Sequence, residues 1–152
     1  MRWMIVALAL LAGCAQTTTV ATSQEAPGQG SVAVLGGHSL NAYRTASGLR
    51  PLALSPRLQA AAEIHARDMA AMAKMTHTGS DGSEVADRVK RQGFRYRRVA
   101  ENIAETGRGL DRAMELWTAS APHRKNMLLR DVTHYGIAQS GDYWAMVVAR
   151  PR

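Results

Sequence analysis

The chain has 152 residues, with 19 Lys+Arg against 12 Asp+Glu, a formal net charge of +7 and an isoelectric point near 10.3. Its length suits one domain, or one domain with a tail, and 46% hydrophobic residues exclude a wholly disordered chain. No apolar run approaches the roughly 20 residues of a spanning helix, which excludes a multi-span membrane protein, and a single cysteine, Cys14, excludes an internal disulfide framework or a Cys-rich zinc module.

Arg2 followed by the apolar run Met4 to Ala12 has the length of a signal-peptide core and not of a membrane span. The tetrapeptide Leu11-Ala12-Gly13-Cys14 resembles the lipobox of bacterial lipoproteins. That resemblance implies cleavage before Cys14 and acylation of Cys14, and several acyl chains anchor far more durably than one. Ala15, in place of an aspartate after the cysteine, favours the outer membrane in a two-membrane cell. The Thr, Ser, Gln, Gly and Pro that follow have the composition of a flexible linker. The expected organisation is therefore a signal peptide over 1–13, the lipidated cysteine and linker over 14–37, and one folded domain over 38–152.

Within that domain, Leu40, Tyr43 and Leu49 suggest a short first helix stopped near Gly48. Ser55-Pro56 is a helix start, with serine as cap and proline in the first turn. Leu58, Ala62, His65, Met69 and Met72 then recur at helical spacing and predict an amphipathic helix from Pro56 to about Met75. Residues 77–82 read as a turn-rich loop, and Ser83 to Gln92 as a helix capped by Asp81 or Ser83 and ended by Gly93. Val99 to Glu105 reads as a strand with Val99, Glu101, Ile103 and Glu105 on one face. Leu110, Ala113, Met114, Trp117 and Ala121 mark a further helix interrupted by Pro122. Tyr135–Ala138 and Tyr143–Val148 flank a hairpin turn at Ser140-Gly141-Asp142. Helices followed by a hairpin indicate an α+β domain.

The chain has no HExxH, GxSxG, Walker loop or GxGxxG. Among its histidines, His65 lies on the apolar stripe and reads as a core residue satisfied by a hydrogen bond, with Asp68 at its edge. His38 and His134 read as structural or solvated, whereas His77 and His123 stand in better positions for chemistry. Glu101 sits among apolar neighbours and needs a partner, because burying a lone carboxylate is costly.

Taken in order, Pro56–Met69, Thr76-His77-Thr-Gly-Ser-Asp-Gly82, Ala100-Glu101-Asn102-Ile103-Ala104, Trp117–Leu128 and Tyr135-Gly136-Ile137-Ala138 resemble the bacterial branch of the CAP superfamily, the SCP-domain group of cysteine-rich secretory, antigen five and pathogenesis-related proteins. The resemblance runs from about Leu40 to Val148. It implies an α-β-α sandwich around a three-stranded antiparallel sheet, with a cleft holding a divalent cation on two histidines and two acids. By motif these fall on His77, Glu101 and His123, while the second acid is replaced by Ser120. One ligand charge is thereby lost, so a cation such as zinc is expected to bind weakly; Glu105 could compensate if the strand extends that far. Asn102 and Trp117 match the family pattern and are expected to be structural.

Arg88, Lys90, Arg91, Arg95, Arg97 and Arg98 form a basic cluster that reads as a solvated face, with anionic lipid headgroups or acidic wall polymers as its partners. Nucleic acid is not an expected partner of an exported protein. The functional expectation is a monomeric, envelope-anchored binding module for a lipid, cell-wall or protein ligand. The alternative is a metal-dependent hydrolase in which Glu101 serves as general base.

Overall fold

A computed structural model describes residues 29–152. The expected signal peptide, the Cys14 acylation site and the linker as far as residue 28 lie outside the described residues.

The first helix, α1 (Gln29–Ala46), begins well before the domain start expected at residue 38, so residues 29–37 are helical instead of linker. Gly36 shows why a glycine belongs here. It is buried against Ile137, and a Cβ in its place would stand 2.9 Å from the Ile137 Cδ1. Tertiary packing thus overrides weak helix propensity. Gly48, with φ of 71°, follows the helix in the left-handed region, as its expected stop does.

Strand β1 (Ala53–Leu54) precedes α2 (Pro56–Met72), which starts at the expected cap: the Ser55 Oγ accepts from the Leu58 backbone N–H at 3.4 Å. Leu58, Ala62, His65 and Met69 are all fully buried, as their spacing predicts. The helix ends before Met75 because Ala73 turns into the left-handed region, at φ 48°. After the 73–84 loop, α3 (Val85–Arg91) is capped by Glu84, whose backbone N–H donates to the Asp87 side chain, and not by Asp81 or Ser83.

Strand β2 (Tyr96–Glu105) is longer than expected and leads to α4 (Gly109–Ala119) and α5 (Ala121–Met127), separated at Ser120 as Pro122 suggests. The hairpin β3 (His134–Ser140) and β4 (Tyr143–Pro151) completes the chain.

The sheet has four strands in the order β1-β3-β4-β2, one more than the expected three. The three long strands are antiparallel; the extra one, β1, is two residues long and pairs with β3 in parallel, too short to leave a periodic signal. Strand alternation sorts the core onto two faces. Trp144, Met146 and Val148 of β4, with Tyr135 and Ile137 of β3, pack towards α1, α4 and α5. Ala145, Val147 and Ala149, with Ala138, pack towards α2 and α3. The α-β-α sandwich is thereby established. Arg44 ties one layer down: it is buried and donates to three carbonyls, those of Arg50, Met127 and Leu129.

Candidate functional site

Strand β2 is an edge of the sheet, so groups from both helical layers can approach it. Its residues alternate between layers. Val99 and Ile103 pack with the α2–α3 core, which puts Glu101 on that side, while Ala100 and Ala104 pack with α4 and α5.

The partner that Glu101 requires comes from the basic cluster. Arg88 of α3 is 3% exposed, and its Nη2 donates to both Glu101 oxygens, at 3.1 Å to Oε1 and 2.9 Å to Oε2. Arg88 also donates from Nη1 to the Ser83 carbonyl and from Nη2 to the His77 carbonyl. A buried charge pair is tolerable only with such additional hydrogen bonds. Arg88 is therefore not part of a solvated face, in contrast to the reading of the cluster from sequence.

His77, in the loop after α2, places its Nδ1 2.8 Å from Glu101 Oε1. Facing a carboxylate, that nitrogen carries the proton and donates it, which leaves Nε2 as the free acceptor. The hydrogen bond to Glu101 is the largest influence raising the His77 pKa above its ordinary value; partial burial and the Arg88 charge oppose it. His65 of α2 lies beneath, fully buried, with Nε2 3.7 Å from Glu101 Oε1, beyond hydrogen-bond range. No short, well-aligned hydrogen bond reaches either ring nitrogen, but the Thr76 backbone lies close enough to act on the ring as an acceptor, so the core position expected for His65 is the one observed. Burial dominates and lowers its pKa, the nearby Glu101 notwithstanding. Asp68, expected at its edge, instead fastens the loop, accepting from the Ser80 backbone and hydroxyl.

His123 approaches from the other layer, on α5. Its carbonyl accepts from Asn102 Nδ2, and Asn126 Nδ2 donates to Asn102 Oδ1 and to the Glu101 carbonyl, so the two asparagines pin α5 to β2. Trp117 does the same for α4, donating from Nε1 to the Ile103 carbonyl at 2.9 Å. The structural roles expected for Asn102 and Trp117 are those observed. Burial, then the nearby His77, lowers the His123 pKa, and its Nδ1 is buried without a hydrogen-bond partner.

The structure thus joins His77 to Glu101 and brings His123 close enough to feel the His77 charge, but no hydrogen bond or ion pair connects Glu101 to His123. Both Glu101 oxygens are committed, and the side chain is 2% exposed. Among the described residues, no three His, Cys, Asp or Glu side chains gather in a metal-binding arrangement. Two imidazoles are available, and the carboxylate stands behind one of them as an orienting group.

Beside His123 opens a cleft of about 600 Å³. Its apolar lining comes from Met75, Ile103, Leu116 and Trp117, and its polar lining from Glu105, Ser120, His123 and Asp142. Glu105 and Ser120 therefore do share one cleft with His123. Met75, Leu116 and Asp142 carried no signal in the sequence, because they come from three separated segments that only the fold brings together.

The family profile described as CAP, the cysteine-rich secretory protein family, matches residues 38–147. The chain belongs to this family. A Bacillus subtilis (strain 168) protein, the uncharacterized protein YkwD, is 31% identical to it over 106 residues, covering 68% of this chain and 41% of that one. Among solved structures, an extracellular SCP-domain protein from Bacillus anthracis str. Ames superposes with a TM-score of 0.76 at 23% identity, over 80% of this chain and 41% of that one. An outer surface protein from Borrelia burgdorferi gives 0.67 at 20% identity, over 78% and 91%. The chain thus spans about two fifths of the length of the two Bacillus relatives. As a CAP domain it carries the expected α+β sandwich, and the cleft lies where His123, from the family's tryptophan-to-histidine segment, meets the end of β2. No helix among the described residues is long and apolar enough to cross a membrane.

Proposed function

We propose that this CAP domain is an envelope-side binding module whose cleft takes a ligand with an apolar segment and a neutral or cationic polar head. The observation that carries this reading is the cleft itself. Its volume lies within the range of small-molecule sites, and its lining combines apolar side chains with Glu105 and Asp142 and includes no lysine or arginine. An anionic head would meet like charge there. An exported setting agrees with the extracellular and outer surface proteins of the same fold and with the lipobox-like Leu11–Cys14, through which we propose a lipid anchor in the cell envelope.

The hydrolase alternative lacks support from the same geometry. Glu101, its expected general base, faces Arg88 and His77 and does not line the cleft. Ser120 and His123 share the cleft without a hydrogen bond between them, so the geometry gives no support to an activated hydroxyl. For zinc the proposal is weak binding by the two imidazoles, with Glu101 orienting His77.

The test uses three probes with the same twelve-carbon chain, kept below their micelle concentrations: dodecyltrimethylammonium, monododecanoylglycerol and dodecanoate. Calorimetric titration should show binding of the first two, and dodecanoate weaker by tenfold or more. Leu116→Gln should abolish binding while preserving the melting transition. Equal binding of dodecanoate, or an unaffected Leu116→Gln, overturns the assignment.

A further inference from the structure

Away from the cleft, the opposite end of the sheet is basic. β2 and β4 run antiparallel, with Tyr96 opposite Pro151 and Arg98 opposite Arg150 at one end, and Glu105 opposite Tyr143 at the other. At about 3.3 Å per residue the two ends are roughly 30 Å apart. The cleft, with its acidic lining residues, adjoins the Glu105 end.

Two arginines at the far end, Arg98 and Arg150, share one carboxylate, Asp131, at 3.2 and 4.0 Å. Lys90, Arg95, Arg97 and Arg152 are exposed and have no carboxylate partner among the described residues. Three of these four surround a groove of about 340 Å³ with Tyr96. Lys90 holds its Nζ 6.0 Å from the Tyr96 ring centre, which leaves the ring half-buried between the cation and the core. The groove therefore combines several donors without internal acceptors and an amphipathic aromatic at its wall.

We propose that this end of the domain docks on an anionic phospholipid bilayer, with a headgroup phosphate in the groove formed by Lys90, Arg95, Tyr96 and Arg152. Charge complementarity selects the occupant. The unpaired cations spread over the end of α3, the start of β2 and the end of β4, so they meet a dense array of phosphates better than a single small anion. A tyrosine with one polar tip suits the headgroup layer. The charge asymmetry along the sheet also sets orientation: the acidic residues of the cleft are repelled by the same surface, so the cleft faces away from the bilayer. This docking is independent of what the cleft binds.

The experiment uses the processed chain, residues 14–152 with Cys14→Ser, so that neither the apolar signal segment nor an acyl chain contributes, and sedimentation with vesicles of phosphatidylcholine alone or mixed three to one with phosphatidylglycerol. The protein should bind the anionic vesicles, release them as salt rises past about 0.1 M, where the screening length is roughly 10 Å, and ignore the neutral ones. Removing a surface cation should weaken partitioning about fivefold, so Lys90→Gln/Arg95→Gln/Arg97→Gln should lose about a hundredfold. The control, Arg67→Gln/Arg108→Gln/Arg112→Gln, removes the same charge elsewhere and should retain most of the binding; melting curves verify that both variants fold. Equal losses in the two variants, equal binding to neutral vesicles, or binding of a soluble acidic glycan at this end with none to vesicles would each overturn the proposal.

Discussion

Replacing Arg88 by methionine removes a cation of similar length from beneath β2 and leaves Glu101 as a buried carboxylate. His77 is then its remaining hydrogen-bond partner. With both side chains no more than 3% exposed, breaking the pair from the cationic side should cost about 3–5 kcal/mol of stability. Glu101→Gln should cost less, about 1–3 kcal/mol, because Arg88 keeps the Ser83 and His77 carbonyls as acceptors. The double variant leaves neither charge behind, so its cost should fall short of the sum by about 2 kcal/mol. Urea unfolding of the four proteins measures that difference directly. A second readout excludes a purely steric cause. The carboxylate raises the His77 pKa and the Arg88 charge lowers it, so NMR titration should rank His77 highest in Arg88→Met, intermediate in the wild type and lowest in Glu101→Gln. Additive unfolding costs together with an unchanged His77 titration would refute the coupling.

Gly136→Ala should destabilise by about 3 kcal/mol or more in the same assay, since the added Cβ would stand 2.6 Å from the Leu58 carbonyl oxygen and force α2 off the sheet; a loss under about 1 kcal/mol would show that this packing is loose. Stability should also depend on pH near histidine's ordinary pKa of about 6.5. The raised pKa of His77 contributes stability that is fully present below about pH 6.5 and is lost as pH rises through the folded-state value, whereas His65 and His123, with lowered values, make the unfolded chain bind more protons, so stability falls as pH drops below about 6.5. The two effects have opposite signs, so the test is differential: in chemical denaturation His65→Leu should lose less stability than the wild type as pH falls below about 6.5, and an unchanged acid limb would contradict the burial of a neutral His65.

Much of the fold was legible because its signals are local. Ser55-Pro56 fixes where α2 begins, the spacing from Leu58 to Met69 fixes its buried face, and Ser140-Gly141-Asp142 fixes the hairpin, with Gly141 at φ 55°. What escaped depends on contacts distant in sequence. Residues 29–37 look like linker because their glycines and polar residues weaken a helix, yet Gly36 is what lets α1 rest on Ile137. Strand β1 exists through two backbone bonds, Ala53 N–H to the Thr133 carbonyl and Ser55 N–H to that of Tyr135, which any side chains could make. Ala73 ends α2 in a conformation that its side chain does not advertise.

The site was legible in its parts and not in their connections. Burial among apolar neighbours said that Glu101 needs a partner, but alternation along β2 decides which layer supplies it, and that layer contains Arg88 and His65 as well as His77. Once Arg88 neutralises the carboxylate, the identity of residue 120 takes on a different weight. An acid at Ser120 would line the cleft, whereas Glu101 does not, so it would add a negative charge beside His123 without engaging the Glu101 carboxylate. Serine there leaves His123 beside a hydroxyl and apolar side chains, while Glu105 and Asp142 hold the negative charge of the lining. That mixed lining is what the proposed selection of a chain-like ligand by its body and its head rests on.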